Sequence, residues 1–397
     1  MKELKKINRY IICFFLGSRL AYAKNIDSNT TISNENISGS LNIGIKNNAN
    51  VDINGTVNIK DYFSVATCNG QSSTCPAGGL NASANINNSA TVGASVTIVG
   101  DSSQGTLNVD NGSALYTQQL WVSGNDNDKT SNVKDDSNGK LTVDNKSSVF
   151  VVSSQTETPF KNDSIKWNQD ILSQGNNITD GTVSSGDLVL GKTGNGVISI
   201  DHESILDVEN NVVVSTGVDG MPNDKPSEIF IDNGSGLKIH GDMKGGISAA
   251  GKLNLSMDKS SELVVDGLVT IGVGDGSEIS IKTGDGSSIK VGKDLTVAVG
   301  DNSNVNLNLD SSTLTVEGNS IIGSGKGSIT DFHISNSSAV SKDNMTLAKG
   351  DDTKVNMEVS SSQLETDTLS IGEGDNATVT MTGNGATISS GNTFTVA

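Results

Sequence analysis

The stretch Leu253–Asp275, LNLSMDKSSELVVDGLVTIGVGD, decides the fold. It holds three short alternating runs in order: Leu253, Leu255 and Met257, then Leu263 and Val265, then Val269 and Ile271. Period-two alternation between turn residues reads as strands with one buried face. A polar turn bearing Ser or Gly follows each run. The next copies are expected to start at Ile279, Val305, Ile329, Val355 and Val379. Those spacings are 26, 26, 24, 26 and 24, and a near-constant period of this length is the mark of a solenoid.

The rest of the chain reads as less regular copies of the same unit. GTLNVDNGSALYTQQLWVSG at 105–124 and GVISIDHESILDVENNVVVSTG at 196–217 are two clean examples. Interruptions fall at 61–79, 125–138, 154–186 and 218–227. The organisation expected is a polar, Asn-rich lead at 24–36, an irregular repeat region with inserted loops at 37–228, and regular repeats at 229–397.

Hairpins alternate in direction, whereas each unit here repeats the same three-run order. Equivalent runs therefore come round in the same direction and stack in parallel, about 4.8 Å per coil. The fold expected is all-β: a right-handed parallel β-helix with three short strands per coil of about 24–26 residues. Some fourteen coils would make a rod of roughly 70 Å. Gly-Asp corners such as Gly274-Asp275-Gly276 suit turns that need φ > 0. Aromatic residues are 4 % of the chain, so the core must be thin and long, not a thick globule.

Lys2, Lys5, Lys6 and Arg9, then apolar Ile11–Leu16, then Ala21-Tyr22-Ala23, read together as a secretory signal peptide at 1–23. The apolar run is too short to span a bilayer, and no other stretch qualifies as a transmembrane helix. The net charge is −18, and the signal holds five of the basic residues, so the remainder is more acidic still. No arginine follows Arg19. Nucleic acid and anionic membranes are poor partners for such a surface, and no nucleic acid is expected. Cys13 leaves with the signal, and Cys68 and Cys75, with six residues between them in a secreted chain, are expected to close a disulfide loop.

The pattern GxLxVxxGSxLxxxxxLxVSG at 105–124, with its kin at 196–217 and 253–276, resembles the passenger domains of Gram-negative autotransporters. The likeness is to pertactin-like and AIDA-type adhesin repeats, and it covers most of residues 37–397. It implies secretion through the outer membrane and display at the cell surface for adhesion, aggregation or biofilm growth. That family ends in a C-terminal β-barrel, whereas this chain stops at Phe394-Thr-Val396-Ala397, inside the third run of a repeat. On the resemblance, the regular repeats are uncapped and the chain reads as a truncated passenger or the first piece of an interrupted gene. Surface display would require a barrel supplied otherwise; without one the product would be periplasmic or extracellular.

Residues that would carry chemistry do not assemble in the sequence. Asp201/Glu203 and Asp207/Glu209 are i, i+2 carboxylate pairs of the kind a glycosidase uses, but neighbouring carboxylates are commonplace in an acidic rod. His202, His240 and His333 fall in different units without metal-ligand spacing. Asp101-Ser102-Ser103 has the composition of a turn, and the Gly-Asp corners lack the nine-residue period of calcium repeats. The expectation is therefore a non-enzymatic presenter with no catalytic, cofactor or metal residues. Its partners would be a host-cell surface, matrix glycan or protein, or further copies of itself. Phe160 and Trp167, in the 154–186 insertion, are the expected contact aromatics, with Trp121 a third that would equally suit the inside of a coil. The alternatives are a carbohydrate-acting β-helix enzyme of lyase or glycosidase type, and a gene fragment without activity.

Overall fold

The computed structural model describes residues 23–67, 80–101, 103–124, 138–171, 177–178, 181–192, 194–216 and 225–396. The described residues are mostly strand, with short 3-10 turns at Gln155–Glu157 and Gln169–Ile171: one 32-stranded sheet of parallel pairings winds through them, with a two-residue antiparallel pair at 177–178 and 181–182 beside it. It is a parallel β-helix, and each coil contributes one strand to each of three ladders.

The first ladder keeps one inward column through the stack: Ile53, Ile86, Val109, Val143, Ile200, Ile231, Met257, Thr283, Leu309, Ile334 and Val359 are paired level on level. The second runs Leu115, Val149, Leu206, Leu237, Leu263, Ile289, Leu314, Ala339 and Leu364. The third runs Leu120, Leu188, Val212, Met243, Val269, Leu295, Ser320, Met345 and Leu369. Both neighbours of an inward residue are usually its own kind, so one continuous apolar core fills the axis. A void of about 40 Å³ within it is lined only by apolar side chains, including Leu255, Ile281, Leu307 and Phe332, and is a packing gap.

Two expectations change here. The polar lead at 24–36 belongs to the ladders: Lys24–Ile26 pairs with Leu41–Ile43, and Thr30–Ile37 pairs with the strand Ala49–Thr67. Ile26, Ile32 and Ile37 are buried, which is enough apolar surface to seat a strand among asparagines. The second change is one of register. The repeat expected at Ile329 begins one residue later, because Val305 pairs with Thr330 and Thr330 with Val355. Thr330 is 0 % exposed and Ile329 39 %. Phe332 and Ile334, both buried, have the parity of Thr330, and two large inward side chains outweigh one exposed isoleucine.

Glycine serves the corners in two ways. Gly276 has φ +67°, with open space where a Cβ would sit. Gly274, Gly300, Gly325, Gly350 and Gly374 have no such φ. There a Cβ would come within 1.9, 2.4, 2.2, 2.5 and 2.2 Å of a carbonyl oxygen of the preceding corner. Close stacking of backbone on backbone, not backbone freedom, requires this column.

Candidate functional site

The long insertion between Val151 and Asp187 leaves the coil after its second strand and lies back over the outside of earlier coils. Its seat is an outward column of the second ladder: Asn36, Asn58, Gly93, Tyr116 and Phe150, one per coil. Trp167 donates from Nε1 to Asn58 Oδ1 at 2.9 Å, and Asn58 Nδ2 donates to the carbonyl of Ile165 at 3.2 Å. The Asn168 amide reaches Ser95 Oγ at 2.8 Å, and Gln169 Nε2 reaches Gln118 Oε1 at 2.9 Å. Phe160 packs edge-on to Tyr116, with ring centroids 6.3 Å apart, and lies over Gly93. Beneath the far end of the insertion, Ile171 and Val183 cover Val96, Ile98, Trp121 and Val189, a second apolar cluster on the outside of the third ladder.

This placement overturns the expectation for the contact aromatics. Phe160 and Trp167 are 2 % and 4 % exposed, and Trp121 is fully buried. They hold the insertion to the coil and offer no surface to a partner. The aromatic pair nearest the surface is Tyr116 and Phe150, stacked 4.8 Å apart at 16°. They stand on adjacent coils, ring against ring, and both are half-buried. Burial raises the phenol pKa of both Tyr116 and Tyr62, with the Asp61 charge adding to the effect at Tyr62. The Cys68–Cys75 pairing and all but Ala23 of the expected signal at 1–23 lie outside the described residues.

The corner between the first and second strands repeats a four-residue turn: Asp110-Asn111-Gly112-Ser113, Asp144-Asn145-Lys146-Ser147, Asp201-His202-Glu203-Ser204, Asp232-Asn233-Gly234-Ser235 and Asp258-Lys259-Ser260-Ser261. Its second residue has φ near +50° at every level. That residue's side chain reaches the aspartate of the coil before it. Asn145 Nδ2 donates to Asp110 at 2.7 Å, His202 Nδ1 meets Asp144 at 2.8 Å, Asn233 Nδ2 donates to Asp201 at 2.6 Å, and Lys259 Nζ lies 3.5 Å from Asp232. Inside the same turn a column of buried serines links coils: the Ser113, Ser147 and Ser204 amides each donate to the next serine Oγ at 3.2 Å. Similar ladders line the other corners, as where the Asn319 amide donates to Asp294 at 2.8 Å and the Asp301 amide to Asp275 at 3.0 Å.

All three histidines bridge coils. His240 sits between Asp266, 2.8 Å from Nδ1, and Asp207, 3.1 Å from Nε2; His333 meets Glu358 at 3.3 Å. The hydrogen bond to Asp144, with the Asp201 charge, raises the His202 pKa, and the bond to Asp266 raises that of His240. Burial lifts the Asp187 carboxyl against hydrogen bonds from Ser184 and Asn211, while Lys342 lowers Glu317. Asp144, Asp201 and His202 bring ligand atoms within 4.8 Å of one another, the one such group among the described residues. Each already serves the corner ladder. A shallow cleft of about 340 Å³ beside it is lined by Asn145, Lys146, His202, Glu203 and Asn233. Of the carboxylate pairs seen in the sequence, Asp201 and Glu203 fall in one turn: Asp201 accepts from Asn233 and Glu203 pairs with Lys146 at 3.2 Å. Asp207 meets His240, and Glu209 accepts from Ser153 Oγ at 2.7 Å. No sequence signal separates these bonded pairs from catalytic ones; the next coil has to be in place to see them.

Among the described residues no helix is long and apolar enough to cross a membrane, which leaves membrane crossing by strands untouched. No family model matches the chain. No solved structure matches it either. Among curated proteins it is similar to one described as "Uncharacterized protein YuaO", from Escherichia coli strain K12: 73 % identical over 376 residues, 94 % of this chain. Those residues are 21 % of that protein, so the chain spans about a fifth of the length of the curated relative it matches.

Proposed function

We propose that the chain is a non-enzymatic, secreted or surface-displayed β-helical passenger, resembling an autotransporter adhesin, that presents inserted loops for adhesion or aggregation. The observation that carries this reading is where the insertions leave the coil. Three of the four depart after a third-ladder strand and return at a first-ladder strand: between Thr67 and Asn81, Val122 and Asn138, and Val214 and Ser227. They therefore share one edge of the stack. Loops rooted on one edge of a stiff scaffold suit multivalent contact, and loops on a solenoid face are where binding concentrates. The fourth insertion is held down on the coil and takes no part in contact.

The test displays the chain on beads. Each edge insertion is replaced by the regular corner Gly272–Gly276, and binding is measured to cells, matrix proteins and glycans, together with bead clumping. Loss of binding or clumping on replacement, with an unchanged β-sheet circular dichroism spectrum, is the expected result. Equal adherence after all three replacements refutes the presentation reading. Turnover of a polysaccharide panel by the intact chain would move the function to a carbohydrate-acting enzyme.

A further inference from the structure

In a solenoid each coil touches only its neighbours, so stability is a sum of coil and interface contributions, and coils open one after another. The docked insertion departs from that rule. It is rooted after Val151, yet Asn36 Nδ2 donates to Asp163 at 3.4 Å, Trp167 bonds Asn58, Asn168 bonds the Lys60 carbonyl at 3.0 Å, and Phe160 lies on Gly93. One segment thus spans the five successive coils marked by Asn36, Asn58, Gly93, Tyr116 and Phe150.

We infer that residues 155–171 are an intramolecular clamp that makes these five coils open as one unit. Gly93 is the socket. Its neighbours in the column, Asn58 and Tyr116, carry side chains, and its backbone is not in the left-handed region. A Cβ there would meet the Phe160 ring at 2.5 Å and Trp167 Cζ2 at 2.9 Å. Glycine is needed at this position for the clamp and not for the strand. Further along the rod, Lys252–Met257 through Thr387–Val396, the coils carry no such cross-tie among the described residues and retain nearest-neighbour behaviour.

The test uses the full chain and three variants. Gly93→Leu fills the socket and Trp167→Ala removes the anchor without touching the coil. Gly236→Leu, at an outward strand position whose Cβ would meet nothing nearer than Glu262 O at 3.9 Å, is the control. Trp167 belongs to the insertion and Trp121 lies beneath its far end, both buried, so their emission reports its seating. Hydrogen exchange is followed at 51–65, 92–99 and 115–122, with 278–347 as reference. In wild type the first three segments should exchange with one common opening rate. Gly93→Leu should red-shift the emission, separate those rates and speed exchange at 51–65 by on the order of tenfold, with 278–347 unaltered. Trp167→Ala should do the same to exchange, and Gly236→Leu should do neither. Four results would each overturn the clamp: unchanged exchange at 51–65 despite a red shift, unchanged emission in Gly93→Leu, acceleration spread equally over 278–347, or acceleration in Gly93→Leu that Trp167→Ala does not share.

Discussion

Thr330→Val should make the protein more stable. Thr330 faces the core at 0 % exposure, and its Oγ1 is buried with no hydrogen-bond partner. The residues above and below it in the ladder, Val305 and Val355, show that a valine-shaped side chain fits the column. An unsatisfied buried hydroxyl costs about 1–3 kcal/mol in lost hydration, and the substitution replaces it with a methyl of nearly the same shape. A gain of about 1–2 kcal/mol follows. Repeat arrays need not unfold in two states, so a single melting point is a poor reporter. Native-state hydrogen exchange at Ile329–Ser335 and Lys354–Ser360 is the better assay, and a gain of that size slows exchange there by roughly tenfold. The converse substitution, Val305→Thr, should speed exchange by a similar factor. If Thr330→Val accelerates exchange, or Val305→Thr leaves it unchanged, the assignment of an orphaned hydroxyl at this level is wrong.

The remaining expectations concern the corners. The carboxylates at Asp266 and Asp207 raise the His240 pKa in the folded chain above the unfolded value of about 6.5. Its contribution is therefore complete below that unfolded value and is lost as pH rises through the folded one. Protection of Gly236–Ile239 and Glu262–Val265, corrected for intrinsic exchange, should fall from pH 6 to pH 8.5, and His240→Asn should abolish that dependence. Ser337→Ala removes the acceptor of the Ser312 amide (3.0 Å) and the donor to Ser335 O (2.7 Å), and should cost about 1–2 kcal/mol by denaturant titration of the surrounding coils. Gly300→Ala, with a Cβ 2.4 Å from Gly274 O, should cost about 3 kcal/mol, whereas Gly276→Ala, set in open space, should cost only the left-handed penalty of about 1 kcal/mol; equal losses on thermal melting would contradict the close-approach argument. Asn233→Asp replaces a donor to Asp201 with a second carboxylate, and should weaken the corner at neutral pH and low salt, with recovery in high salt or on acidification.

How much was legible in the sequence depended on whether the deciding partner lies in the same unit. The alternation of Leu253, Leu255 and Met257, with the runs after it, is a local signal, and all seven inward residues of that unit are buried as read. Residue type alone favours Ile329 over Thr330 as the inward position. Phe332 and Ile334, two and four places on, held the parity that decides the matter. Aromatics in a long insertion suggest an exposed loop, whereas Phe160 and Trp167 are buried. A glycine in the middle of an otherwise apolar strand, Thr91-Val92-Gly93-Ala94, was the available sign that something packs against it. What packs there lies nearly seventy residues further on, and nothing local names it. The corner ladders were illegible for the same reason: Asp144 and His202 are one coil apart in space but 58 residues apart in sequence.

Those ladders also explain how so acidic a chain can stack like on like. Parallel coiling brings equivalent corners within about 5 Å, so a repeated aspartate would face its own copies. Two unit charges at that separation repel by about 1 kcal/mol in bulk water and several times that near a protein surface. Across Asp110, Asp144, Asp201 and Asp232 each carboxylate instead meets a donor from the following coil: the Asn145 amide, the His202 ring, the Asn233 amide or the Lys259 ammonium. Because each donor occupies the second turn position, held at positive φ, the backbone itself aims it down the stack. Only two of the four donors can carry charge, so the net charge survives while the local repulsion does not. The same arrangement accounts for the clustered carboxylates that would otherwise suggest a catalytic pair or an ion site. They are the acceptors of an inter-coil hydrogen-bond ladder, and their spacing follows from the coil repeat.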